Sequence, residues 1–127
     1  MSITAPDLMA LAAHLETHPG EAALRGAISR AYYAAFHHAK AWHDSLPSHG
    51  LAPQQGGGTH HELANRLISP TLPAGDPRIV ISKSGGYLLR HAHGLRVRAD
   101  YLINDTMQSS DAADAIAKAQ SILAKLI

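Results

Sequence analysis

The chain has 127 residues, a formal net charge of +1, ten His and no Cys. That length suits a single domain, residues 1–127, built around one hydrophobic core, and the lack of Cys excludes a disulfide framework or a thiolate metal site. A charge so near zero excludes the broad electrostatic footprint of non-specific DNA binding, and abundant Ala with few aromatics favours closely packed helices over a β-sandwich.

The N-terminal Met1-Ser2-Ile3-Thr4-Ala5-Pro6-Asp7 lacks the basic start and apolar run of a signal peptide. No apolar stretch approaches the roughly 18 residues of a membrane span, so a cytoplasmic protein with no membrane partner is expected. Thr4 is placed to cap a first helix, with Pro6 and Asp7 in its opening turn. Leu8, Leu11, Ala12 and Leu15 recur at helical spacing until His18-Pro19-Gly20 breaks the pattern.

A second helix is predicted over Glu21–Leu46, with Leu24, Ile28, Ala31, Ala35, Ala39, Trp42 and Leu46 as its core stripe. The three Ala in that stripe allow another helix to approach closely. Arg30, Tyr33 and His37 fall at i, i+3 and i+7 and share a different face. That face is read either as an ordinary interhelical surface, with long side chains covering apolar area, or as part of a binding site.

Pro47–Gly58, with three consecutive Gly, is expected to be a mobile loop. Thr59 is then expected to cap a short third helix reaching Ile68, with Glu62 at the capping-box position. His60-His61-Glu62 suggests a zinc-protease helix, but Asn65 stands where the second His is needed. The Gly56-Gly57-Gly58 run lacks the Lys-Ser/Thr of a phosphate loop. Only His14 and His18 have the i,i+4 spacing of helical metal ligands, and no metal or cofactor is expected. Pro70, Pro73, Gly75 and Pro77 mark irregular chain, and Arg78-Ile79-Val80-Ile81, a short strand by composition with no second strand to pair with it, reads as extended loop or a helix approach.

A fourth helix is predicted over Gly86–Met107, with Leu88, Ala92, Leu95, Ala99 and Leu102 as core. Asp111 is expected to cap a fifth, Ala112–Leu126, with Ile116, Ala119, Leu123 and Leu126 on one side. The sum is an all-α, up-and-down bundle of four main helices plus one short helix. Positive charge collects on the fourth helix: Lys83, Arg90, Arg96 and Arg98, joined by His91 and His93, precede the first acid, Asp100. A near-neutral protein that concentrates cations in this way offers a local phosphate or RNA site, with Arg90 and Arg98 as candidate contacts beside Arg30, Tyr33 and His37. Arg96 and Asp100 have i,i+4 spacing for an ion pair.

Three blocks together resemble the HEPN domain, the small helical domain of prokaryotic toxin–antitoxin and defence systems. They are Arg30-Ala31-Tyr32-Tyr33-Ala34-Ala35-Phe36-His37, Leu88-Leu89-Arg90, and Arg96-Val97-Arg98-Ala99-Asp100-Tyr101 followed by an Ala-rich final helix. The resemblance spans roughly Leu8 to Ile127 and implies a homodimer that acts as a metal-independent endoribonuclease. Its motif is an Arg followed, four to six residues on, by a His acting as acid or base, while the Arg stabilises phosphorane charge. It also implies a small nucleotidyltransferase antitoxin as partner, which in some systems modifies a Tyr near the motif.

Carried onto this chain, the resemblance places the catalytic group at Arg96, Asp100 and Tyr101, with Tyr101 as the candidate modification site. Tyr101 stands where the motif His is expected, and a phenol is a poor base at neutral pH. On a straight helix Arg96 and Tyr101 lie about 140° apart, so they are expected to meet only across a dimer or through a distorted turn. Arg30 and His37 fit the Arg-to-His spacing literally, but on the second helix, and His91 and His93 are further candidate bases. A toxin-type ribonuclease, a non-catalytic module binding nucleotide, RNA or a nucleotidyltransferase, and a purely structural oligomerisation domain remain as readings.

Overall fold

A computed structural model describes residues 3–52 and 58–127, and among these every regular element is a helix. Gly56 and Gly57 of the glycine run lie outside the described residues. Helix α1 spans Ala5–Glu16, α2 Glu21–Asp44, α3 Thr59–Ile68, α4 Arg78–Tyr101 and α5 Ser109–Lys125. No helix among the described residues is long and apolar enough to cross a membrane.

The start of α1 follows its sequence signals. Thr4 Oγ1 accepts from the Asp7 backbone N–H at 3.3 Å, and Asp7 accepts in return from the Thr4 N–H at 2.9 Å, closing a capping box. The break after α1 is made by Gly20, whose φ of 98° suits a residue without Cβ. Leu11, expected in the core, is exposed, and Ala12 beside it is fully buried. Ala12 lies in the cluster with the α2 alanines, and Leu11, about 100° round the helix from it, turns away from that contact. Helix α2 carries the main core stripe of Ile28, Ala31, Ala35 and Ala39, with Tyr32 and Phe36 next to it. It ends at Asp44, two residues short of the predicted Leu46, which is nonetheless buried.

Three predicted starts shift. Gly58, not Thr59, precedes α3 and makes no side-chain cap, so the Thr59–Glu62 box does not form. Glu62 instead pairs with Arg66 at 3.0 Å, one turn on. Helix α5 begins at Ser109 rather than Ala112, and Asp111 is the N3 partner of a box closed by Gln108 rather than the cap itself. The largest shift is in α4, which starts at Arg78, eight residues before the predicted Gly86. Asp76 Oδ1 accepts from the Arg78 backbone N–H at 2.9 Å and starts the first turn, so Arg78–Ile81 is helical in spite of its β-branched residues.

Gly85 and Gly86 lie inside α4 because neighbours crowd both. A Cβ on Gly86 would come within 2.9 Å of Leu67 Cβ and 3.0 Å of the Ala64 carbonyl, and one on Gly85 would come within 2.9 Å of Leu126. The buried face of α4 is accordingly Ser82, Gly85, Gly86, Leu89, Ala92, Leu95, Arg96 and Ala99, with Leu89 in place of the predicted Leu88.

Helix α4 stops at Tyr101, six residues before the predicted Met107, because Arg25 of α2 caps it. The Arg25 guanidinium donates to the carbonyls of Arg98 at 3.0 Å and Ala99 at 2.9 Å, and also to those of Leu102 and Asp105. Leu102, expected on the core stripe, falls beyond the end and is exposed.

Contacts between helices set their directions. Ser29 meets Asp100 and Tyr33 meets Arg96, so α2 and α4 run antiparallel. Arg98 meets Asp111 and His91 meets Asp114, so α4 and α5 do too. Leu15 lies by Gly26 while Ile3 and Leu8 lie by Tyr33 and His37, so α1 and α2 are antiparallel as well; the four longer helices alternate in direction, with α3 laid against α4 through Arg90–Asn65 and Ser82–Leu67. Two buried clusters form the core: one around Tyr32, Leu67, Leu89 and Ile122, the other around Ile28, Leu95, Met107 and Ala112.

Candidate functional site

The antiparallel packing of α2 on α4 brings the two sequence blocks together around one guanidinium. Arg96 is only 8% exposed. Its Nε donates to Asp100 Oδ2 at 2.9 Å and an Nη donates to the Tyr33 hydroxyl at 2.7 Å. Its Cζ lies 5.2 Å from the Tyr33 ring centre and 5.1 Å from that of Tyr101, within cation–π range. The expected 140° separation of Arg96 and Tyr101 is therefore overcome within one chain. Tyr101 is the last helical residue, and the two side chains are long enough to reach across the end of the helix.

The network continues outward. Ser29 Oγ donates to Asp100 at 3.2 Å and accepts from an Arg30 Nη at 3.3 Å. Burial alone would lower the Arg96 pKa, but Tyr33, Tyr101 and Asp100 outweigh it and raise it. Arg96 thus remains a cation with its Nε and one Nη serving protein acceptors.

Arg30, Tyr33 and His37 line one cleft of about 400 Å³ with Ile3, Thr4, Ala5 and Leu8 of the α1 end. Arg30 Cζ lies 5.2 Å over the Tyr33 ring, and the rings of Tyr33 and His37 are near-parallel, 6.3 Å apart. Among the described residues Arg30 has no carboxylate partner, unlike Arg96, so its charge is available to a bound anion. The shared face read from i, i+3, i+7 spacing is thus a real cleft wall.

Not every expected contact joins it. Arg98 is held by Asp105 at 3.3 Å and Asp111 at 3.7 Å, on the α5 side. Arg90 bonds Asn65 on α3 at 2.7 Å. His91 faces Asp114 at 3.5 Å. The Arg residues concentrated on α4 therefore point to three different neighbours, and of Arg90, Arg96 and Arg98 it is Arg96 that faces α2. Tyr101 is 62% exposed and open to solvent.

His60 of α3 belongs to the cluster and carried no such signal in the sequence. Its Nδ1 shares a 2.8 Å hydrogen bond with the hydroxyl of Tyr32, which is 1% exposed. Its ring lies 4.4 Å from Phe36 and stacks at 5.8 Å on His93. Burial, then the charge of Arg96 and the nearby His37, hold the His60 imidazole below its ordinary pKa. Burial, then His60, Arg96 and His61, do the same to His93. Burial pushes the Tyr32 phenol well above its usual range. All three groups are therefore neutral at pH 7. Ser29 is the other residue the sequence did not flag, because a lone Ser on a helix has no distinctive spacing.

His14 and His18 bring their Nε2 atoms to 3.1 Å at the end of α1, far from this cluster. Among the described residues no group of three or more His, Asp or Glu is arranged to hold a metal ion. No protein-family model matches the chain, and no curated protein or solved structure gives a significant match to it.

Proposed function

We propose that the chain is a HEPN-like protein, the toxin or effector half of a prokaryotic toxin–antitoxin or defence pair, acting on RNA as a metal-independent endoribonuclease. The observation that carries this reading is the convergence of Arg30, Tyr33 and His37 on one cleft backed by the Arg96–Asp100–Tyr33 network. The three sequence blocks that resemble the family supply the rest of its support.

In this reading Arg96 and Asp100 are positioning residues: they fix Tyr33, and through Ser29 they fix Arg30. The direct contacts pass to Arg30 and His37. His37 takes the proton from a ribose 2′-hydroxyl, whose oxygen attacks the adjacent phosphorus. The bond from phosphorus to the 5′ oxygen breaks, and that oxygen takes a proton from solvent. Arg30 stabilises the charge on the pentacovalent phosphorane. The products are a 2′,3′-cyclic phosphate and a 5′-hydroxyl end, with no metal and no redox partner. Cleavage of an RNA pool in EDTA by the wild-type protein, weakened at least a hundredfold in Arg30→Ala, tests it. No cleavage of any RNA by the wild type contradicts it.

A second reading, a non-catalytic module that binds RNA or nucleotide and a nucleotidyltransferase partner, is favoured by Tyr101. Its ring is exposed at a helix end, stands at the motif position, and is accessible to a modifying enzyme. Intact-mass measurement of protein co-expressed with a neighbouring nucleotidyltransferase is expected to show nucleotide addition in the wild type but not in Tyr101→Phe. An unmodified wild-type mass, with no complex formed, contradicts this reading. Homodimerisation belongs to both, and light scattering tests it.

A further inference from the structure

The cleft between the start of α1 and the middle of α2 has a division of labour that RNA cleavage alone does not require. One side is apolar, built by Ile3, Ala5 and Leu8; the other carries Arg30, Tyr33 and His37. Its volume, about 400 Å³, lies in the range of small-ligand sites. A groove that only tracked a backbone would need cations along its length and no apolar wall. Here a single guanidinium sits at an aromatic shelf, opposite aliphatic side chains. The carboxylate joined to the cleft rim, Asp7, is spent on the backbone and hydroxyl of Thr4, and Arg30 keeps no carboxylate partner among the described residues.

We infer that this cleft is a binding pocket for one unpaired nucleotide of the RNA, its base held between Leu8 and Ile3 on one side and the Tyr33 ring on the other, with its phosphate at Arg30 and its ribose beside His37. The inference rests on the RNA-acting reading and deepens it: α1 becomes the element that selects the substrate. A base in a duplex keeps both faces stacked and cannot enter such a cleft, whereas a splayed base in a single strand can lie on an aromatic ring. The aliphatic wall offers no hydrogen bonds to base edges, so the pocket selects for an unpaired base over a paired one rather than for one base over another. The wall also explains the position of Ile3, an aliphatic residue half in solvent ahead of α1.

Fluorescence anisotropy with a labelled single-stranded RNA 12-mer tests this, against the same 12-mer with abasic residues and against its duplex. The variants are Leu8→Trp, which fills the floor, and Ile3→Trp, which fills the rim from an exposed position without burdening the fold. The single strand is expected to bind at least tenfold tighter than the abasic strand or the duplex, and either variant is expected to lower it to the abasic level. Equal binding of all three RNAs, or unchanged single-strand binding in both variants, overturns the pocket while leaving RNA action standing. No binding of any RNA by the wild type overturns the functional reading itself.

Discussion

Arg96 and Arg30 are both on the α2–α4 face, and their surroundings make them do different things. Removing Arg96 empties a buried guanidinium site, leaves the Tyr33 hydroxyl without its donor and leaves Asp100 with Ser29 as its remaining donor. Arg96→Ala is therefore expected to lower stability by about 1–3 kcal/mol, read from urea unfolding. Among the described residues the hydrogen-bond and cation–π partners of Arg30 are Ser29 and the Tyr33 ring, so Arg30→Ala should change stability by less than about 1 kcal/mol while removing the proposed activity. A loss of activity in both variants thus has two distinguishable causes. At this scale the sequence was informative where spacing alone decides proximity: Arg30, Tyr33 and His37 share a face, and Arg96 pairs with Asp100. It could not show His60 or Tyr32 as partners, because their hydrogen bond joins residues on α2 and α3 that only the packed fold brings together.

Helix boundaries in this chain depend on what neighbours each terminus meets. The period of α2 is readable because apolar residues recur along its whole length. The ends of α4 are not, because Gly85 and Gly86 look like a break and the Arg25 cap comes from another helix. Two glycines sharpen the point. A Cβ on Gly50 would come within 1.7 Å of the Arg66 carbonyl, whereas one on Gly94 would meet nothing within 4 Å. Gly94→Ala is expected to stabilise the protein by about 0.5–1 kcal/mol through helix propensity. Gly50→Ala is expected to destabilise it by about 2 kcal/mol or more through forced displacement. Chemical denaturation of the two variants reads both signs.

Gly50 also belongs to a strap that ties the end of α2 to α3. Its N–H donates to the buried His43 Nε2 at 3.0 Å, and its carbonyl accepts from Arg66 at 3.0 Å. Only a neutral His43 can accept that bond. Burial and then His49, with Arg66 and Lys40 adding to them against the pull of Asp44, hold its pKa below the ordinary value. The sign follows from linkage: the folded state binds this proton less readily than the unfolded chain. The stabilisation is complete above the unfolded His pKa of about 6.5 and is lost as pH falls through the lower folded value. His60 and His93 act in the same direction. The melting temperature is expected to fall between pH 7 and pH 5, and to fall less steeply in His43→Gln, which keeps an acceptor but cannot titrate. Equal slopes in the two proteins would remove His43 from the account.

The molecule as a whole places the guanidinium–aromatic face of Arg30 and Tyr33 beside the short first helix, while most of its remaining cations are tied to carboxylates or carbonyls. The all-helical architecture was legible from composition and periodicity, since Ala-rich stripes at helical spacing have few other uses. The cleft was not, because its apolar wall belongs to α1 and its polar wall to α2, and nothing in either stretch announces the other. The claim that joins fold to function is that the Arg30–Tyr33–His37 wall engages RNA directly. The most direct measurement is cleavage of an end-labelled single-stranded RNA in EDTA by wild type, Arg30→Ala and His37→Ala, with circular dichroism confirming equal helicity. Metal-free cleavage leaving 2′,3′-cyclic phosphate ends, and reduced at least a hundredfold in both variants, is the expected result. Cleavage unchanged by either substitution, or no cleavage by the wild type, would contradict it.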